Sequence, residues 1–152
     1  LFSTEHGPSA GVEDNLCCHD EVNRIVAGAN YGWPLVYGAP HDPRFVDPIV
    51  ESGDDTWAPA GAVFYDGDLL APWQGSLFFG ALRGRHLHRL VLGGAKQDQV
   101  IAEERLFEGE FGRLRDVAVG PDGALYFTTS NRDGRWPAAS SDDRLLRVVP
   151  DA

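Results

Sequence analysis

Residues 85–91 read Arg-His-Leu-His-Arg-Leu-Val, and the chain repeats this pattern twice more. The counterparts are Asp-Glu-Val-Asn-Arg-Ile-Val at residues 20–26 and Asp-Arg-Leu-Leu-Arg-Val-Val at residues 143–149. Each has an apolar residue, any residue, an arginine and two apolar residues. Arg24, Arg89 and Arg147 therefore align, at spacings of 65 and 58. A second repeat sits inside the first: Gly75-Ser-Leu-Phe-Phe matches Gly123-Ala-Leu-Tyr-Phe, 48 residues on. A period of about 40–60 residues built on β-type segments is what propeller blades give when their loops vary in length.

Working outward, short apolar or period-2 segments predict strands at residues 21–26, 62–65, 76–81, 86–92, 115–119, 125–129 and 145–149. Pro121-Asp122-Gly123 predicts a tight turn, because proline presets φ and glycine accepts positive φ. No stretch carries a helical period. Residues 38–56, rich in Pro, Asp and Gly, read as a long loop, and residues 130–143 as a shorter one. The strands add up to two clear blades and part of a third. A propeller needs at least about four blades to close. Residues 1–152 are thus expected to form an all-β, partial β-propeller with open strand edges. A β-sandwich of similar size is the alternative, but it does not predict the repeated arginine signature.

The composition, 43% hydrophobic and 24% charged, is that of a globular chain, and no apolar run approaches the roughly 18 residues of a membrane span. The formal charge of −10 argues against binding to a nucleic-acid backbone, which needs a basic surface. Clustered arginines therefore need a local reason. The chain opens on Leu1 with no leader sequence, and the expectation is that the parent protein begins further upstream.

Arg113 and Arg115, two apart at a strand entry, are expected to face the same side. Two adjacent guanidiniums repel unless an anion lies between them. A planar polycarboxylate ligand or the chain's own surface carboxylates would serve. Arg83 and Arg85 form a further pair. Gly7-Pro8 is either an ordinary turn or a place where consecutive carbonyls face a cation such as calcium. Glu21 is either a solvated carboxylate or a ligand joined by carbonyls near Tyr31 and Tyr37. Cys17 and Cys18 are adjacent, which excludes the separated pairs of a structural zinc site. Two reduced thiols are the favoured reading, with a vicinal disulfide or a metal role beside His19 also open. His86 and His88 share a strand face and read as ordinary strand residues. Walker, Rossmann, zinc and Ser-His-Asp patterns are absent.

Taken in order, these motifs resemble the glucose/sorbosone dehydrogenase family, the soluble quinoprotein sugar dehydrogenases. The run is Glu5-His-Gly-Pro, then Asp20-Glu-x-Asn, Asn30-Tyr-Gly-Trp-Pro, Thr56-x-Ala-Pro-x-Gly with Phe64-Tyr65, Gly80-Ala-Leu-Arg-Gly, and Arg113-x-Arg-Asp-Val with Gly120-Pro-Asp-Gly-x-Leu-Tyr. The resemblance covers nearly the whole chain. It implies a six-bladed β-propeller of which this chain supplies about three blades, as the C-terminal half.

The resemblance also implies roles for single residues. Gly7 and Pro8 match positions whose carbonyls hold calcium beside the cofactor. Arg113 and Arg115 match the pair that grips the carboxylates of pyrroloquinoline quinone (PQQ), and Thr56 matches a hydroxyl contact to it. Arg83 falls where some members carry lysine. Glu21, with the carbonyls of Tyr31 and Tyr37, matches a second calcium site. The implied reaction is oxidation of an aldose at its anomeric carbon to a lactone, with PQQ and Ca2+ as cofactors and an external electron acceptor. The catalytic base, a histidine in this family, is expected in an N-terminal half outside this chain, so no catalytic residue is assigned and the chain alone is expected to be inactive. A periplasmic or secreted location is implied. The expected partners are a sugar substrate, the electron acceptor and the N-terminal half of the propeller. Residues 9–19 form a longer loop than the family's short Gly-Gly step. A non-catalytic propeller used as a binding module and a calcium-dependent propeller lactonase are the competing functions.

Overall fold

The computed structural model describes residues 1–8 and 17–150. The expected loop at residues 9–19 thus lies mostly outside the described residues. The chain divides into two compact units, residues 1–59 and 60–152. Among the described residues the architecture is all-β, with three antiparallel sheets and two single-turn 3-10 segments, Ala71–Trp73 and Asn131–Asp133. No helix among the described residues is long and apolar enough to cross a membrane.

The first unit holds β1 (Phe2–Glu5), β2 (Glu21–Arg24) and β3 (Val50–Glu51), in the order β1-β2-β3. β3 interrupts the segment expected to be one long loop at residues 38–56. The second unit holds a four-stranded sheet of β4 (Pro59–Phe64), β5 (Leu77–Ala81), β6 (His86–Gly93) and β7 (Gln99–Leu106). Its other sheet has the order β10-β9-β8, from β8 (Leu114–Val119), β9 (Leu125–Thr129) and β10 (Leu145–Val148).

The repeat that predicted blades has a cross-strand meaning. Arg24 on β2 faces Phe2 on β1, Arg89 on β6 faces Phe78 on β5, and Arg147 on β10 faces Tyr126 on β9. Each arginine thus sits opposite an aromatic residue, a pairing that stabilises a sheet face. The aromatic members come from Leu1-Phe2, Leu77-Phe78 and Leu125-Tyr126, so the second repeat also has three copies. Three sheets built on one pairing are three blades.

β7 was not anticipated. Its residues alternate poorly and are nearly all exposed. It is held by pairing with β6, which sequence periodicity does not report. β1 was missed for a related reason, since Phe-Ser-Thr-Glu carries one apolar residue.

The core of the second unit gathers Tyr65, Phe78, Leu87, Leu114, Val117, Leu125 and Phe127. Each such side chain contributes about 1.5–3 kcal/mol on burial. Tyr65 is fully buried, and its hydroxyl is satisfied at both ends. It donates to the Gly123 carbonyl at 2.5 Å and accepts from the Leu70 amide at 2.8 Å. This ties the predicted Pro-Asp-Gly turn to the core.

Candidate functional site

In the second unit, Arg113 immediately precedes β8 and is buried, at 6% exposure. Its Nε donates to Asp133 Oδ2 at 3.0 Å, and its Nη2 stands 2.8 Å from the same oxygen. Its Nη1 donates to the Leu82 carbonyl at 3.2 Å. Arg115 has a 48% exposed side chain; its Nη2 donates to Ser130 Oγ at 3.1 Å and lies 3.5 Å from Asp133 Oδ2. Both guanidiniums reach the same carboxylate, although one is buried ahead of β8 and the other exposed on it. The anion between them is the chain's own Asp133.

Asp133 was not anticipated. It closes the 3-10 turn Asn131–Asp133, and Asn131 fixes that turn by accepting from the Arg113 amide at 2.8 Å. Desolvation pushes the Asp133 carboxyl up. Hydrogen bonds from the Arg135 amide and Arg113, with the charges of Arg113 and Arg115, outweigh it and hold the group below the usual carboxylate range.

A bulge aims Arg115. The β8–β9 register slips between Leu114 and Asp116, so Arg115 is the extra residue, and both Arg115 and Asp116 face outward. Bulges of this kind redirect a side chain at the cost of one ladder position. Arg83 lies exposed in the turn after β5 and has no hydrogen bond or ion pair among the described residues. The Arg113 contact to the Leu82 carbonyl brings that turn to the arginine pair. Arg113 and Arg115 thus meet at Asp133, with the turn that bears Arg83 alongside. This donor set fits a planar polycarboxylate.

In the first unit, the motifs meet at Asp20, a motif residue to which the sequence assigned no role. Asp20 is buried, and its Oδ1 accepts from the Gly7 amide at 3.0 Å. Its Oδ2 accepts from the Trp57 amide at 2.7 Å, the Ala58 amide at 2.8 Å and Thr56 Oγ1 at 3.3 Å. Successive amides aimed at one oxygen make an anion-binding nest, here filled by Asp20. Asp20 thereby joins the segments that carry Gly7-Pro8 and Thr56, through contacts 13 to 38 residues apart. The sequence marked it only as the first residue of the Asp20-Glu-x-Asn motif, with no role assigned.

Gly7 is pressed against the backbone of residues 18 and 19. A Cβ there would lie 1.6 Å from the Cys18 carbonyl oxygen and 2.6 Å from that of His19. Two carbonyls and the Asp20 carboxylate thus surround Gly7 with oxygen. These oxygens come from residues 18–20 and not from the Gly7 and Pro8 carbonyls to which the resemblance gives calcium. Cys17 and Cys18 are joined as a vicinal disulfide rather than the two reduced thiols favoured above.

Glu21 is 7% exposed, not solvated. Its Oε1 accepts from the Gly38 amide at 2.7 Å and its Oε2 from Asn23 Nδ2 at 3.0 Å. Burial raises its carboxyl above the usual range; the Asn23 and Gly38 hydrogen bonds oppose this, and the charges of Glu5 and Glu51 add to it. Asn23 Oδ1 is buried without a hydrogen-bond partner among the described residues. The Gly38 contact turns the N–H side of the Tyr37–Gly38 peptide to Glu21, so the Tyr37 carbonyl points away from it, and the Tyr37 ring lies 5.2 Å from that of His19. Tyr31 is placed differently. Its hydroxyl donates to the Arg24 carbonyl at 2.8 Å and accepts from the Val26 amide at 2.7 Å, which pins it to the end of β2. Among the described residues no three His, Cys, Asp or Glu side chains are grouped to hold a metal, so a cation here would draw on backbone and amide oxygens. A carboxylate held against like charges beside an orphaned carbonyl oxygen fits such an ion.

Comparison with known proteins matches this arrangement to one family. The sequence model of the Glucose / Sorbosone dehydrogenase family matches residues 1–147. The aldose sugar dehydrogenase YliI of Escherichia coli is 34% identical, over 99% of this chain and 38% of its own length. A structure described as a putative oxidoreductase (glucose dehydrogenase) from Thermus thermophilus superposes with a TM-score of 0.79 at 47% identity, covering 96% of this chain and 40% of that one. The PQQ-bound aldose sugar dehydrogenase of Streptomyces coelicolor gives a TM-score of 0.78 at 35% identity, covering 96% and 38%. The chain thus spans about two-fifths of the length of these relatives, and its three sheets are a partial propeller. With the motif order, the blades and the arginine pair in place, the chain belongs to the glucose/sorbosone dehydrogenase family.

Proposed function

We propose that this chain is the C-terminal half of a PQQ- and calcium-dependent aldose dehydrogenase that oxidises the anomeric carbon of a sugar to a lactone. The observation that carries the reading is the convergence of Arg113 and Arg115 on a single carboxylate, beside a turn whose Arg83 makes no hydrogen bond or ion pair among the described residues. When bound, the quinone would supply the hydride acceptor. Arg113, Arg115 and Arg83 would hold its carboxylates, and Arg113, buried and fixed by the Leu82 carbonyl, would set their position. Fixed guanidiniums would also stabilise negative charge that grows during reduction. Gly7 and Pro8 would offer carbonyl oxygens to calcium, and Thr56, anchored on Asp20, would present a hydroxyl to the cofactor. Glu21 would offer its buried carboxylate to a second calcium. The proton of the sugar hydroxyl would go to a base outside this chain.

The open edge supports a further partner within the same protein. β10 pairs on one side only among the described residues, and Leu145 on it is 70% exposed. The N-terminal half of the propeller would cover such an edge. A periplasmic or secreted location accords with the Cys17–Cys18 disulfide.

The test is titration of PQQ and calcium into the full-length protein, followed by dye reduction with an aldose. Uptake and turnover that are lost in Arg113→Ala and Arg115→Ala are expected. Absence of cofactor uptake would overturn the reading, and uptake without turnover on any aldose would leave a binding module.

A further inference from the structure

Arg83 and Arg85 are two apart in the turn at residues 82–85, and the reading above uses only Arg83. Arg85 is half-buried, and its guanidinium carbon stands 4.4 Å from the centroid of the half-buried Trp136 ring. Its side chain makes no hydrogen bond or ion pair among the described residues. On a chain with 23 acidic and 13 basic residues, a guanidinium held by an indole instead of a carboxylate keeps its donors open.

The backbone is fixed on both sides of this stack. Arg85 has φ 55°, a left-handed conformation uncommon outside glycine. Its amide donates to the Ala81 carbonyl at 2.9 Å, and its carbonyl accepts from the Gly109 amide at 2.8 Å. On the other side, Asp133 Oδ1 accepts from the Arg135 amide at 3.0 Å, which sets the segment leading into Trp136. Arg132 Nη2 ties that loop to itself by donating to the Ala139 and Ser140 carbonyls at 3.2 and 3.0 Å. The stack closes a circuit around the arginine pair. It runs from the Leu82 carbonyl through Arg113 to Asp133 Oδ2, and from Asp133 Oδ1 to Arg135 and Trp136. The Trp136 ring then returns it to Arg85, in the same turn as Leu82.

We propose that Arg85 is a further anion-binding residue of this site and that Trp136 is its positioning residue. The group it takes is a carboxylate of a planar polycarboxylate. Contact with a ring face uses up no acceptor, so the N–H donors of Arg85 stay available. The stack also removes side-chain freedom that a long arginine would otherwise lose on binding. A guanidinium fork meets a carboxylate through two parallel hydrogen bonds, which a lysine cannot reproduce. The inference rests on reading Arg113 and Arg115 as holding a polycarboxylate cofactor.

The experiment is calorimetric titration of the full-length protein with PQQ and, separately, with trimesate, a flat benzene tricarboxylate without redox chemistry. Arg85→Gln is expected to weaken binding of both by about 10- to 100-fold, the loss of hydrogen bonds to a charged group. Arg85→Lys is expected to fall between the native protein and Arg85→Gln. Trp136→Leu is expected to weaken both by about 3- to 30-fold, and Trp136→Phe, which keeps a ring face, by less than about threefold. In the Arg85→Gln background, Trp136→Leu is expected to change affinity by less than about twofold, because Trp136 acts only through Arg85. A Trp136→Leu effect that keeps its full size in that background would overturn the positioning role. Native affinity for both anions in Arg85→Gln would overturn the proposal as a whole. Trimesate binding that depends on Arg85, in a protein that takes up no PQQ, would defeat the functional reading and sustain this inference. Binding of neither anion would overturn both.

Discussion

Arg113 Nη2 stands 2.8 Å from Asp133 Oδ2, and that one oxygen also serves Arg115, at 3.5 Å. The two arginines differ in burial, which separates the effects of removing them. Arg113→Ala leaves the Leu82 carbonyl without its donor and opens buried space. It is expected to cost about 1–3 kcal/mol of stability. Arg115→Ala, at the half-exposed bulge, is expected to cost less than about 1 kcal/mol. Both should lose quinone uptake. Urea unfolding and cofactor titration on the same two variants check the split.

Asp133→Asn keeps the size of the side chain and removes the charge between the guanidiniums. If Asp133 occupies the place a ligand carboxylate takes, the variant should bind PQQ more tightly. Its binding should also weaken more steeply with salt, because more unneutralised positive charge faces the ligand. Weaker binding by the variant would mean that Asp133 holds the arginines in place rather than competing for them.

Gly7→Ala places a methyl group inside contact distance of the Cys18 and His19 carbonyls. The obstacle is backbone, so neither side can turn away. A loss of about 3 kcal/mol or more is expected, read as the shift in urea midpoint. A stabilising effect of added calcium should shrink with it, and an undiminished calcium response would separate Gly7 from the ion.

Asp20→Ala removes one acceptor from four donors, three of them backbone amides. Hydrogen bonds to a charged group contribute about 1.5–3 kcal/mol each and do not add fully. The expected loss is therefore about 3 kcal/mol or more, larger than for Thr56→Ala, which removes one donor. Chemical denaturation of both variants tests the ranking.

Burial keeps His88 neutral in the folded protein down to about pH 3, whereas an unfolded histidine protonates near 6.5. The unfolded state binds the extra proton across that window, so stability declines as pH falls through it. A full one-proton difference corresponds to about 1.4 kcal/mol per pH unit. The acid limb of a stability–pH profile should be shallower in His88→Phe than in the native protein. Equal slopes would show that His88 is not the group responsible.

The sequence by itself determined the repeating unit. Arg24, Arg89 and Arg147 recur because each faces an aromatic residue on the neighbouring strand, and such pairs are written into local patterns. Short motifs likewise marked Gly7, Thr56, Glu21, Arg113 and Arg115 through the family they resemble. Glu21 was identified, but its burial was not, and Tyr31 could not be placed from its spacing. Only the tertiary structure decided what those residues touch. Asp20 and Asp133 gather their partners across 13 to 38 residues of chain, and neither stands in a motif that names a partner. β7 is invisible to periodicity because backbone pairing with β6 holds an exposed, polar strand. The slip of one residue at Arg115 depends on how β8 meets β9. Side-chain type is local and can be read in order, whereas a charge's environment is set by groups that only folding brings within hydrogen-bond reach.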